Sequence, residues 1–449
     1  MDDIVENPET LKAEALGIVA NIKTNFVNSE GLVSDSFPPS GRNLIRDFDD
    51  YAPFMLWFGE EGFIGGQIKR FSRYVHEGLP CFSGRVVSFR CNEYLGGLVA
   101  YYRRTSDDLA MSLIRDACRG IRKLLVRQDK ICAFHSRRWN ITPHIADPRC
   151  GSLIEVLIDN RDLVPQHYDE ALNGLRRFIE SPDFVEYGLF PSKDYLSNTA
   201  LQMLSKLNPL HYPRKLSPLA FTDGWRASFS DLFYLIPMGW EAQLAKHNTS
   251  IMYALIAAFR ATEDVTYSAA IIWWIRNFRM KMLEGGGKSF YYLRGRDSTF
   301  KLALNFPAVD CLCDTYKFVE CEKEVLDLAC NMADFWLHKR MKNGLFPMYS
   351  GSRSDFLDDQ TDMVVSLNRL HELTGNNSYR EAANQTLDSI LKYHKTKYGF
   401  CQSVDENCNI VDPTVDPKFN ALLLKPLILY LSGTRIYDDD LMQKLMQDR

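Results

Sequence analysis

Asp355-Phe356-Leu357-Asp358-Asp359-Gln360-Thr361-Asp362 opens the stretch that decides the fold. It leads into an apolar run from Met363 to Leu373, the turn Thr374-Gly375-Asn376-Asn377, an amphipathic segment near Tyr379 to Tyr393, and an exit at Tyr398-Gly399-Phe400. Apolar residues at helical spacing on both sides of a glycine-bearing turn predict a helical hairpin. Such a unit cannot bury its apolar face alone, so copies must stack or close on one another.

Degenerate copies recur along the chain. Asp47-Phe48-Asp49-Asp50-Tyr51 opens one, Cys91-Asn92-Glu93-Tyr94 the next, Gly151-Ser152-Leu153-Ile154-Glu155 a third and His247-Asn248-Thr249-Ser250 a fourth. Asn305-Phe306-Pro307-Ala308-Val309-Asp310 and Asp416-Pro417-Lys418-Phe419-Asn420 supply two more. The exits match as well, since Tyr187-Gly188-Leu189-Phe190-Pro191 and Asn343-Gly344-Leu345-Phe346-Pro347 are nearly the same words. Starts lie about 45 to 60 residues apart, with one interval nearly double, a period suited to paired helices. Counting them predicts an all-α ring of six or seven antiparallel hairpins.

Bulk properties agree with one helical body. Hydrophobic residues make up 46% of the 449 and aromatics 12%, enough for a large core. No Gly/Ser- or Pro-rich linker interrupts the repeats, so one domain over 1–449 is expected, with an insertion at about 194–246 in the long interval. The balance of 53 basic and 57 acidic residues gives no electrostatic case for a nucleic-acid partner. The opening residues Met1-Asp2-Asp3-Ile4-Val5-Glu6 lack the basic and apolar regions of an export signal. The most apolar stretch, Ala421 to Leu431, is broken by Lys425 and Pro426 and does not reach membrane-spanning length. A cytoplasmic protein with no membrane partner is expected, its eleven cysteines reduced and mostly buried.

Some signals carry no chemistry. Gly285-Gly286-Gly287-Lys288-Ser289 resembles the tail of a phosphate-binding loop, but Met282 stands where the earlier glycine is required, and no strand precedes it. It reads as a helix stop. Cys311 and Cys313, two apart, point to different faces of a helix, and no second Cys or His pair has zinc-like spacing. No metal or cofactor is expected.

The acidic helix starts matter more. In a ring of hairpins one helix of each pair lies inside, all inner helices run the same way, and their N-termini meet at one mouth. Asp49, Asp50, Asn92, Glu93, Glu155, His247, Asn248, Asp310, Asp358, Asp359, Asp362, Lys418 and Asn420 would then converge there, a composition suited to a polyhydroxylated ligand. Asp and Asn are also the favoured caps of helix N-termini. Capping explains one carboxylate per helix, but Asp358, Asp359 and Asp362 crowd a single turn, as do Asp47, Asp49 and Asp50. Crowded like charges raise one another's pKa, which is what a general acid at neutral pH needs. Trp139 and Trp225 sit in loop-like contexts with His144 and Arg226 nearby, and flat rings suit the apolar faces of sugars.

Leu357-Asp358-Asp359-Gln360-Thr361 through Leu370-His371-Glu372-Leu373-Thr374-Gly375-Asn376, and Phe48-Asp49-Asp50-Tyr51-Ala52-Pro53-Phe54, resemble the inner-helix starts of the six-hairpin glycosidase-like superfamily. That group of (α/α) toroids includes unsaturated glucuronyl hydrolases, N-acylglucosamine 2-epimerases, and lyases and C5-epimerases of uronic acids. The resemblance implies an (α/α)6-type toroid and an enzyme that takes a sugar or oligosaccharide. Hydrolysis of a small or uronic-acid-containing glycan is the favoured expectation, with Asp359 or Asp358 as acid and Asp50, Asp310 or Glu93 as partner. Epimerisation or elimination would instead use Tyr291, Tyr292, His144 or His247 as base and Arg294, Arg296, Arg137 or Arg138 as clamp. A catalytically silent ring that binds a glycan or a protein is the third expectation.

Overall fold

The hairpin read from residues 355–400 is present in the computed structural model, which describes residues 5, 7–39, 43–81, 84–137, 140, 142, 148–188, 194–195, 237–238, 244–284, 302–319 and 323–437. Its helices run Leu357–Thr374 and Asn377–Tyr393. Gly375 ends the first in left-handed backbone at φ 70°, and the Asn376 side chain caps the second by accepting the Ser378 N–H at 3.1 Å.

In chain order the helices are α1 (Pro8–Thr24), a 3-10 turn (Ile45–Asp50) leading into α2 (Ala52–Trp57), α3 (Glu61–Phe71), α4 (Ser88–Thr105), α5 (Asp108–Gly120), α6 (Gly151–Asp159), α7 (Pro165–Ile179) and α8 (Pro182–Tyr187). Then come α9 (Leu244–Thr262), α10 (Val265–Glu284), α11 (Leu302–Phe318), α12 (Glu324–Leu337), the hairpin above as α13 and α14, α15 (Pro417–Leu422) and α16 (Leu424–Ser432). The expected insertion lies almost wholly outside the described residues, as do residues 285–289.

Packing defines the inner wall. The 3-10 turn and α2 lie against α4, α4 against α6, α6 against α9, α9 against α11, α11 against α13, and α13 against α15 and α16, which return to the turn and α2. Among the described residues that is a closed ring of seven inner segments. Helices α3, α5, α7, α10, α12 and α14 each pack outside the inner helix they follow, and α1 packs outside α15 and α16. The two ends of the chain therefore make the seventh pair between them. Val5 N–H donates to Asp388 Oδ1 at 2.8 Å across this seam.

Inner and outer helices differ as their positions require. Outer α5 buries Ala110, Leu113, Ile114, Ala117 and Cys118 along one stripe. Inner α13 is buried nearly all round and takes its polar residues with it. Thr361 and Ser366 satisfy their hydroxyls on the Leu357 and Asp362 carbonyls one turn back, at 3.0 and 3.1 Å. Strands are short, and the longest, Gly399–Val404 and Ile410–Val415, pair antiparallel with Cys401 opposite Val415. Among the described residues no helix is long and apolar enough to cross a membrane, and the ten described cysteines are unbridged.

The Gly-aromatic exits are corners where an outer helix hands over to the next inner one, and an amide side chain closes them. Gln360 accepts the Phe346 N–H at 2.7 Å and donates to the Phe346 carbonyl at 2.8 Å. Asn420 does the same for Phe400, at 2.7 and 3.0 Å. Gln67 closes an equivalent corner, accepting from Val33 N–H at 2.9 Å and donating to Gly31 O at 2.8 Å. Gln360→Ala strands both Phe346 groups in a buried site and is expected to cost about 2–4 kcal/mol. Urea unfolding should show a lower midpoint at unchanged m-value.

Candidate active site at the ring mouth

Three carboxyls from two neighbouring inner segments meet where the inner helices begin. Asp47 and Asp50 lie in the 3-10 turn and Glu93 in the second turn of α4, with one oxygen of each within 4.8 Å of the others. Fixed cations bridge them. Arg90 Nη1 donates to Asp47 Oδ1 at 2.5 Å and to Glu93 Oε2 at 2.6 Å. Lys418, from α15, places Nζ 3.1 Å from Asp47 Oδ1 and 2.7 Å from Asp50 Oδ2. Arg46 Nε donates to Asp47 Oδ2 at 2.9 Å. Asp47, 1% exposed, is the hub of the cluster.

Equal chemistry does not mean equal charge here. Burial opposes ionisation of Asp47, but Lys418, Arg90 and Arg46 outweigh it and hold the carboxyl below its usual range. Burial, together with the charge of Asp50, pushes Glu93 up to about 8 against the pull of Arg90 and Lys418. Asp50 is raised by burial too, which Lys418 only partly offsets. At neutral pH the mouth thus holds an ionised Asp47 and a protonated Glu93.

Two glycines inside α4 allow this approach. A β-carbon at Gly97 would stand 2.4 Å from Phe48 Cδ1 and 2.9 Å from the Phe48 backbone carbon, and one at Gly96 would stand 2.8 Å from Asp49 Cγ. A helix-interior glycine costs about 1 kcal/mol relative to alanine. The pair accepts that cost for contact, seating the acidic turn directly on the helix that carries Arg90 and Glu93.

The acids expected from sequence divide among three places. Asp50 and Glu93 join the cluster. Asp358 and Asp359 begin α13, where Asp358 is half-buried and Asp359 is 2% exposed. Asp358 is not the cap of its helix, because Phe356 occupies that position without a side-chain bond. Burial pushes Asp416, the cap of α15, up to about 6 against bonds from the Lys418 and Phe419 N–H groups and the charge of Lys418, and the charge of Asp358 adds a smaller push. Asp310 does not stand at a helix start. Helix α11 begins at Leu302 with Pro307 inside it, so Asp310 lies eight residues on, about 12 Å along the axis. There its Oδ1 is 3.7 Å from Arg369 Nε, beside an Asp314–Arg369 ion pair to which Tyr437 Oη donates at 2.8 Å.

Of the expected binding residues, Asn92 is half-buried beside Glu93 and Asn248 is fully buried in the second turn of α9. Trp139, Trp225, His144, Tyr291, Tyr292 and Arg294 lie outside the described residues. Sequence reading missed Arg90 and the central place of Asp47. The i,i+3 spacing of Arg90 and Glu93 was the available signal for the first. Nothing local marks the second, since Asp47 meets Lys418 across 371 residues of chain.

Asp47, Asp50 and Glu93 offer the oxygen donors that hard divalent cations take, but Arg90 and Lys418 already stand between them and supply the compensating charge. At the opposite end of the ring, where α4, α6 and α9 finish, a cavity of about 570 Å³ is lined by Tyr102, Arg103, Arg161, Asp162 and Arg260 among others. Arg103 pairs with Asp162 there at 2.8 Å, and the cavity contains none of the shifted carboxyls of the mouth.

No model of a known protein family matches the chain, and no curated protein matches it by sequence. Solved structures do match. The α-1,2-mannosidase from Trichoderma reesei has a TM-score of 0.61 at 11% identity, covering 94% of this chain and 93% of that one. Cellobiose 2-epimerase from Bacillus thermoamylovorans B4167 has a TM-score of 0.56 at 11% identity, over 97% and 100% of the two chains. A D-mannose isomerase has 0.54 at 11%, over 96% and 99%. At such identities the likeness concerns the path of the backbone alone, and with the ring described above it identifies the fold: the chain carries an (α/α) toroid like theirs.

Proposed function

We propose that the protein is a carbohydrate-active enzyme, a glycoside hydrolase that works by carboxyl acid–base catalysis at the ring mouth. One observation carries the reading. Asp47 and Glu93 lie in one cluster, yet their environments drive their pKa values in opposite directions, Asp47 down and Glu93 up to about 8. Divergent titration of neighbouring carboxyls is how one site supplies both an acid and a fixed negative charge at neutral pH. Glu93 is the proposed proton donor to the glycosidic oxygen. Asp47, locked by three cations, holds the cluster in place, and Asp358 and Asp359 border the same mouth from α13. The solved structures of like fold are named as a mannosidase, an epimerase and an isomerase, which supports a sugar as substrate.

Epimerisation is the alternative those names suggest. A panel of neutral and uronate-containing oligosaccharides, incubated in D2O and followed by NMR, separates the two. Hydrolysis yields a new reducing end and no carbon-bound deuterium. A product isomer of unchanged chain length with deuterium at the inverted carbon would reject the hydrolase reading. The pH dependence follows from the acid: kcat/KM should fall as pH rises through about 8, where Glu93 loses its proton.

A further inference from the structure

The Gly96 notch holds a second carboxyl that the bridged cluster does not use. We propose that Asp49 is the base that partners Glu93 in the proposed hydrolysis. The inference rests on the hydrolase reading.

Two observations support it. Glu93 and Gly96 share one face of α4, three residues and about 4.5 Å apart along the axis. The Asp49 carboxyl lies flat on that face, its three terminal atoms 2.8 to 3.0 Å from where a Gly96 β-carbon would be. Second, the other acids of the turn are engaged, Asp47 with three cations and Asp50 with Lys418. Asp49 is half-buried and has no hydrogen bond or ion pair to a described residue. Burial and Asp50 raise Asp49 to about 7, and Lys425 opposes them. The charged groups that act on Asp49 are Asp50 from its own turn and Lys425 from α16.

The step balances within these residues and water. Glu93 gives its proton to the glycosidic oxygen as the bond to the anomeric carbon breaks and the alcohol leaves. Asp49 takes a proton from the water whose oxygen bonds to that carbon. Transfer of that proton from Asp49 back to Glu93 restores both groups.

The test combines a carboxyl-carbon NMR titration of Asp49, assigned by the signal missing from Asp49→Asn, with pH profiles of kcat/KM on the saccharide turned over by the intact chain. The acidic limb of the wild-type profile should share its midpoint with the Asp49 titration. Asp49→Asn should remove that limb and lower kcat by about 10²- to 10⁴-fold, with the folded spectrum retained. Gly96→Ala should slow turnover although Asp49 is still present. Wild-type kcat and an unchanged acidic limb in Asp49→Asn, beside an inactive Glu93→Gln, would overturn this proposal and leave the hydrolase reading standing. Absence of any saccharide turnover by the wild type would reject the hydrolase reading and the catalytic role of Asp49 with it.

Discussion

Glu93→Gln is expected to lower kcat by about 10² to 10⁴ while leaving the fold nearly unchanged. The amide has the size of the acid, and its oxygen still accepts from Arg90, which now binds Glu93 Oε2 at 2.6 Å. It also matches the acid in charge. Because Glu93 is pushed up to about 8, the residue replaced at neutral pH is mostly a neutral carboxyl, so the ion balance with Asp47, Asp50, Arg90 and Lys418 is kept. What disappears is the transferable proton. The alkaline limb near pH 8 should vanish with it, and the melting temperature should move little. A large loss of stability without a change in kcat would mean that Glu93 is an ionised member of a structural network and not an acid.

The second large effect concerns stability. His394 and Asp355 form a fully buried pair, Nε2 to Oδ2 at 2.7 Å, while His394 Nδ1 donates to the Cys401 carbonyl at 2.8 Å. Asp355 Oδ1 accepts the Val404 N–H at 2.8 Å, so the pair ties the end of α14 and the Gly399–Val404 strand to the approach of α13. His394→Ala leaves the Asp355 carboxylate buried without its counter-ion, a change worth about 3–5 kcal/mol. The pair also sets a pH dependence. Burial lowers the His394 pKa, but its bonds to Asp355 and Cys401 outweigh that and raise it from 6.5 to about 10. A raised pKa means that the folded state binds the proton more tightly than the unfolded one. Its contribution is complete below about pH 6.5 and is lost as pH climbs toward 10. Denaturant melts from pH 6.5 to 10 should show this decline, and His394→Ala should be less stable at pH 6.5 with a flatter profile.

The hairpin at 355–400 was legible because its signals are local. Apolar spacing, the left-handed stop at Gly375 and the Asn376 cap all act within a few residues, and the structure places them where the sequence does. The start of α11 was not. Pro307 reads as a helix-opening residue, but it sits at the sixth position of a helix anchored earlier by a Leu302 N–H bond to the Met348 carbonyl, so Asp310 lands halfway along that helix. The sequence predicts six or seven hairpins with the last start at Asp416, but the pairing of that last one was not legible, since α1 and α16 come from opposite ends of the chain. The site shows the same division. Crowded acids in one turn drew attention to Asp50, and Lys418 was expected at the same mouth, whereas Arg90 was missed and the hub place of Asp47 comes from contacts across 43 and 371 residues of chain.

The most direct test of the account is a crystal structure of Glu93→Gln with a turned-over oligosaccharide bound. The glycosidic oxygen is predicted within hydrogen-bond distance of the amide at position 93, with the sugar at the mouth between α4 and the acidic 3-10 turn. A saccharide seated instead at the far end, against Arg103, Arg161 and Arg260, or bound at the mouth with its glycosidic oxygen remote from position 93, would contradict it.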